Sequence, residues 1–240
     1  MLASSEVVRN RKETAWRKNR RFGDWHGGRV RPRLSDGIFQ RLHALHRPDA
    51  GDVLPLLIEE NPSRDFFFPV DGAETLEALR ALPATDTAEI THVWLRRVRK
   101  TDYVAGALPL ASFTCGSGVR LITMYPWPLD RTLRLGRRKP AKSRVREYAK
   151  FEAEPVQEKG RWCFRFSEAG LRRFWVEHLL FHEVGHHVDW YRRRWSGANG
   201  RACEEAADQY AMSMSATATL VLDRMAQAGG PEPGPPGSPV

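Results

Sequence analysis

A helical segment that is apolar on nearly every face constrains this chain most. From Ser167 to about Arg193, the residues Leu171, Phe174, Trp175, Leu179, Leu180, Phe181, Val184 and Val188 recur without leaving a polar stripe. A helix of that composition lies buried at the centre of a domain. The same segment carries Glu177, His178, His182, Glu183, His186 and His187. Imidazoles and carboxylates inside an apolar helix each need a partner. The segment therefore asks for a site as well as a core.

The spacing names the kind of site. His182-Glu183-Val184-Gly185-His186 is an H-E-x-x-H sequence. Residues i and i+4 project from one helical face about a turn apart, so both imidazoles can chelate one ion. Zinc (Zn2+) is the natural ion for two neutral imidazoles and a carboxylate. Glu183 is rotated roughly 100° from His182, so it flanks the ion and does not saturate it. There it can act as base toward a water whose pKa the metal lowers to around 7. Gly185 costs roughly 1 kcal/mol in a helix relative to Ala, which predicts close packing there against a strand or a substrate backbone.

The third ligand follows by elimination. No histidine occurs after His187, and Asp189 and Arg192 stand where an extended H-E-x-x-H-x-x-G-x-x-H would place Gly and His. His178 lies one turn before His182 on the same face, but about 12 Å along the axis from His186, too far to share the ion. Asp189 has the same difficulty toward His182. The ligand must come from the next helix. Residues 196–200, SGANG, form a turn, and a second helix is predicted from about Arg201 to Met225. On it Glu204 and Asp208 are i and i+4 and share a face. Glu204 can complete the site, and Asp208 can accept the free N–H of a ligating histidine. Glu205 is the alternative ligand. Cys203 is read as a packed or exposed thiol.

At these residues, HEVGHH (182–187) and EEAAD (204–208), the sequence resembles the gluzincin metallopeptidases. That group includes thermolysin-like enzymes, integral-membrane prenyl-protein proteases, small soluble minigluzincins and repressor-cleaving peptidases. The resemblance covers roughly residues 165–215 by motif. It implies His182, His186 and Glu204 as ligands, Glu183 as catalytic base and Asp208 as the residue that holds a ligating imidazole. It further implies an edge strand that takes substrate backbone by strand addition, for which Val119–Tyr125 is the candidate. Tyr210, Tyr191 and His187 are the candidates for a residue that stabilises the transition state. Hydropathy excludes the membrane branch: no run approaches the roughly 18 apolar residues of a span.

The remaining chain is expected to support that core. Residues 35–61 read as helical, with Pro55 interrupting the segment Val53 to Ile58. Residues 65–70, DFFFPV, read as a short strand, followed by a helix that Asp71 and Glu74 cap at capping-box spacing. Residues 89–98, EITHVWLRRV, read as a strand carrying His92. A loop with Gly106 and Pro109 precedes the strand at residues 119–125. Residues 130–146 hold eight Arg/Lys and one acid and read as a loop or hairpin. RWCFRF (161–166) is the last short strand. The fold class expected is α+β, a small mixed or antiparallel sheet preceding a helix–turn–helix zincin core. The expected domains are a basic arm (residues 1–34), one metallopeptidase-like domain (35–228, zinc core about 165–228) and a disordered Gly/Pro tail (229–240).

The function expected is a soluble zinc-dependent endopeptidase acting on a protein or peptide substrate. The chain carries 38 Lys+Arg against 29 Asp+Glu, a formal charge of +9, concentrated in residues 1–34 and 130–146. Those two blocks suggest a nucleic acid or an acidic partner. The alternative function is accordingly a basic nucleic-acid-binding protein with a structural or vestigial zinc site. The N-terminus lacks the apolar stretch of a secretory signal. Cys115, Cys163 and Cys203 are odd in number and far apart, so neither a disulfide framework nor a metal knuckle is expected, and the cytoplasm is the expected compartment.

Overall fold

The computed structural model describes residues 45, 48–104, 109–116, 118–190, 192 and 199–228. The basic arm, most of the helix expected before residue 48, Tyr191, most of the turn 196–200 and the Gly/Pro tail lie outside the described residues. What is described mixes three small sheets with several helices.

The largest sheet has four strands: β1 (Leu56–Glu59), β3 (His92–Leu95), β4 (Ala111–Gly116) and β5 (Val119–Met124). Their order is β1-β3-β5-β4, with β1, β3 and β5 parallel and β4 antiparallel to β5. Register is set by pairs such as Leu57 with Val93, Val93 with Ile122, and Phe113 with Ile122. All four residues of β3 are buried, because an interior parallel strand is covered on both faces. Val93, Leu95, Phe113, Ile122 and Met124 join the main core. Trp94, Val119 and Leu121 form a second cluster on the other face with Leu45 and Ile58. His92 is fully buried on the strand, with Nδ1 2.8 Å from Thr91 Oγ1.

Two expectations need correction here. Leu56–Glu59 is a strand and not part of a helix. Residues 110–116, expected in a loop, hold the strand β4, whose Ala111, Phe113 and Cys115 are buried in strict alternation. That alternation is the period of a half-buried strand.

A two-stranded ribbon joins β2 (Phe66–Phe67) to β6 (Trp127–Pro128). Three further strands, β7 (Thr132–Gly136), β8 (Ala153–Glu158) and β9 (Arg161–Phe166), form an antiparallel sheet in the order β7-β9-β8. The basic block, expected as a loop or hairpin, is a loop over residues 137–141 but not throughout. It supplies β7, whose Leu133 and Leu135 pack on the core, and it starts a helix.

The helices in chain order are α1 (Gly72–Arg80), α2 (Ala84–Thr87), α3 (Lys100–Val104), α4 (Lys142–Ala149), α5 (Glu168–Arg173), α6 (Phe181–Trp190), α7 (Gly200–Ser213) and α8 (Ser215–Ala228). The α1 capping box is complete: Asp71 accepts from the Glu74 N–H, and Glu74 accepts from the Asp71 N–H. Ser167 caps α5 by accepting from the Gly170 N–H at 2.9 Å. Between α5 and α6 a π-helical stretch, Phe174–Leu180, continues the same rod. Phe174, Trp175, Val176, Leu180, Phe181 and Val184 are no more than 1% exposed, so this rod is the centre of the core. The second helix expected to reach Met225 is two helices, parted at Met214. Helix α6 packs most extensively on α7. Among the described residues no helix is long and apolar enough to cross a membrane.

Candidate metal centre

Helices α6 and α7 build the centre between them. One ligand atom each from His182, His186 and Glu204 lies within 4.8 Å of the others. His182 Nε2 is 3.4 Å from Glu204 Oε2, and His186 Nε2 is 3.6 Å from Glu204 Oε1. Both distances exceed those of a well-formed hydrogen bond. They match a different requirement: a four-coordinate ion with N and O ligands at 2.0–2.1 Å holds those atoms about 3.4 Å apart. The residues present therefore fit one metal ion.

The close approach of the helices has a local cause. A Cβ added at Gly185 would lie 2.7 Å from the Ala207 Cα and 2.9 Å from the Ala207 carbonyl oxygen. Only glycine admits that separation. The close packing expected at Gly185 is thus against the backbone of α7. Ala207 sits three residues after Glu204, so the same contact sets how far Glu204 stands from the two histidines.

Asp208 accepts the Nδ1–H of His182 at 2.9 Å. That bond fixes the tautomer and turns Nε2 toward Glu204 and His186. Glu205 points elsewhere and accepts from Arg201 Nε at 2.7 Å. The structure thus brings Glu204, not Glu205, to the two histidines. Cys203 is fully buried and contributes no atom to the cluster.

Glu183 is buried beside the cluster, and the Phe113 N–H of β4 donates to its carboxylate. Burial raises its pKa to about 7; the charge of His182 and the Phe113 N–H oppose the rise, and the charge of Glu204 adds to it. Burial pulls His182 down, but the carboxylates of Asp208 and Glu204 more than offset this and bring it to about 10 in the metal-free protein. His186 is lowered to about 4, by burial and then by the charge of His182. The carboxyls of Glu204 and Asp208 are both lowered, chiefly by His182.

His182, Glu183, His186 and Glu204 face a cleft of about 250 Å³, lined also by Ala111, Phe113 and His178. Two site expectations change. Val119–Met124 lies between β3 and β4, so both its edges are occupied. The edge strand beside the cleft is β4. Tyr210 donates to Asp86 Oδ2 at 3.0 Å and does not line the cleft, and His187 is buried against the Phe113 ring at 5.5 Å. His178 does line it. Its ring is held at 4.8 Å from Phe174 and 5.7 Å from Phe151, and its pKa is lowered by burial and then by His182. The spacing argument kept His178 off the ion, and among the described residues the cluster comprises His182, His186 and Glu204 without it. The signal missed was that a same-face residue one turn away still shares the cleft.

Comparison with protein-family models, curated proteins and solved structures found no match for this chain.

Proposed function

We propose that the protein is a zinc-dependent endopeptidase of gluzincin type, with a helix–turn–helix zincin core formed by α6 and α7. One observation carries the reading: three ligand atoms, and no fourth among the described residues, meet at a cleft that also holds a buried carboxylate. Structural zinc sites are closed by four protein ligands, whereas hydrolytic ones keep a position open. That favours a hydrolytic site over a structural one.

His182, His186 and Glu204 would hold the ion. When bound, zinc supplies Lewis acidity, polarising a scissile carbonyl and acidifying water. Glu183 is placed to take the proton of the attacking water and hand it to the departing amine. Its buried setting gives it a pKa near neutrality, where a base both accepts and returns a proton readily. Asp208 holds His182 in the ligating tautomer. Strand β4 is the terminal strand of its sheet beside the cleft, and an extended substrate would add along it as a further strand. Its Phe113 N–H already bonds Glu183, which couples the position of the base to the strand that would carry the substrate. The three cysteines are buried thiols outside any disulfide, which fits the reducing, cytoplasmic compartment we propose.

The test is proteolysis of a whole-cell lysate by zinc-loaded wild-type and Glu183→Gln protein, with the new termini sequenced. Wild type should create a defined set of internal termini and Glu183→Gln should create none, at equal zinc content. Equal cleavage by both would remove the assigned role of Glu183.

A further inference from the structure

The basic block divides in the structure. Arg131 pairs with Glu168 at 3.2 Å, and Arg134 lies over the Tyr103 ring at 5.8 Å. Apart from Arg144, which lies over the Tyr148 ring, the rest forms a ridge with Lys150 just beyond the block. Arg137, Arg138 and Lys139 occupy the loop after β7, Lys142 and Arg146 lie on α4, and Lys150 caps its C-terminus. All six are exposed, and among the described residues none forms an ion pair.

This arrangement is unfavourable in isolation. Lys142, Arg146 and Lys150 follow at i, i+4 and i+8, where like charges on a helix repel. The first turn of α4 has no acidic residue and no side-chain cap, and the helix dipole disfavours cations there. Helix geometry gathers the three cations within an arc of about 80°, roughly opposite the buried Tyr148, so they point away from the protein. Tyr148 stacks on Phe164 at 4.4 Å and fixes the helix to the sheet beneath. The helical charges are thus carried on a rigid element, and among the described residues no ion pair offsets any of the six. A polyanion outside the fold offsets them.

We propose that this ridge, Arg137 to Lys150, binds the phosphate backbone of a nucleic-acid duplex. The three helical cations span about 12 Å, the length of roughly three phosphates on one strand. The nearby rings are not stacking platforms for bases: Lys139 lies over Trp162 at 5.5 Å, and Arg144 over the buried Tyr148 at 5.6 Å. The ridge therefore reads backbone charge, not unstacked bases. The opposite face of α4, which carries Tyr148, packs 6.4 Å from the ring of His178, so the ridge is turned away from the cleft. The proposal does not depend on the chemistry of the cleft.

The test is fluorescence anisotropy of the full chain with a labelled duplex of about 20 base pairs, titrated between about 50 and 200 mM salt. With six cations engaged, log K should fall with a slope of about −5 or steeper against log salt, roughly a thousand-fold loss across that range. Replacing Arg137, Arg138, Lys142 and Arg146 together with Gln should make the slope shallower by about 3 to 4. Unfolding temperature and metal content serve as the folding control. Should that variant not fold, the loop pair Arg137→Gln with Arg138→Gln should remove about 2 from the slope. An unchanged slope in the substituted protein would overturn the proposal and place binding elsewhere. So would absence of binding at about 50 mM salt. Equal competition, charge for charge, by a polyglutamate peptide or by phosphatidylserine vesicles would overturn it in favour of an acidic protein or a membrane surface.

Discussion

Substituting Gly185 by Ala isolates the contact that positions the third ligand. In the structure the new methyl would stand 2.7 Å from the Ala207 Cα, where ordinary contact begins at 3.4 Å. The obstacle is backbone, so no side-chain rotation relieves it. Helices α6 and α7 must part by about 0.7 Å or more at that point, whereas metal–ligand distances tolerate only about 0.2 Å. Glu204 is on the helix that moves, so its oxygens leave the 3.4 and 3.6 Å separations that suit one ion. Stability responds less. Ala gains about 1 kcal/mol of helix propensity over Gly, and overpacking costs about 1–3 kcal/mol. The net loss is about 0–2 kcal/mol, a fall of at most several degrees in unfolding temperature. The assay is competition with a chromophoric chelator, alongside a thermal melt. Metal affinity should fall at least tenfold while the melt stays cooperative. Wild-type affinity in Gly185→Ala would refute the argument that this glycine sets the ligand spacing.

Other outcomes follow from the same geometry. Asp208→Ala should weaken metal binding about 10- to 100-fold through loss of the bond that orients His182, while Glu205→Ala should leave it unchanged; chelator competition on both variants checks this. In the metal-free protein His182 has its pKa raised to about 10, so at pH 7 it carries a proton that an ion must displace. Metal affinity should therefore rise with pH toward 10, with about one proton released from His182 and up to about half a proton from Glu183 per ion at pH 7. Calorimetry in two buffers of different protonation enthalpy measures that number, and no release would contradict the assigned His182–Asp208 pairing. Glu183 is needed deprotonated, and its carboxyl is at about 7 before metal binds. A cation beside it lowers that value, so peptide cleavage should be lost as pH falls, with a midpoint below 7 in a pH–rate profile.

The parts of this fold that were legible in the sequence are those decided locally. The Asp71–Glu74 capping box, the strand RWCFRF and the apolar rod around His182 and His186 each carry their own signal over a few residues. The i and i+4 spacing places both imidazoles, and the same rule on the next helix places Glu204 and Asp208. What was not legible depends on distant partners. Whether Val119–Met124 is an edge or an interior strand is settled by β3 and β4 on either side of it. Strand β4 hides behind Gly106 and Pro109, although Ala111, Phe113 and Cys115 alternate once its pairing is known. The basic residues around Leu133 and Leu135 mask a strand whose two leucines find the core. The π-helical stretch is invisible to a periodicity argument, because a segment apolar on every face has no stripe to drift. The break at Met214 carries neither Pro nor Gly to announce it.

The most direct test of the account is the metal content of the purified full chain after exposure to zinc and removal of excess, measured by plasma mass spectrometry on wild type and His186→Ala. Wild type should retain one ion per chain and His186→Ala essentially none, because two remaining ligands do not hold an ion against dialysis. A full equivalent of zinc in His186→Ala, or none in wild type, would contradict a metal centre built from His182, His186 and Glu204.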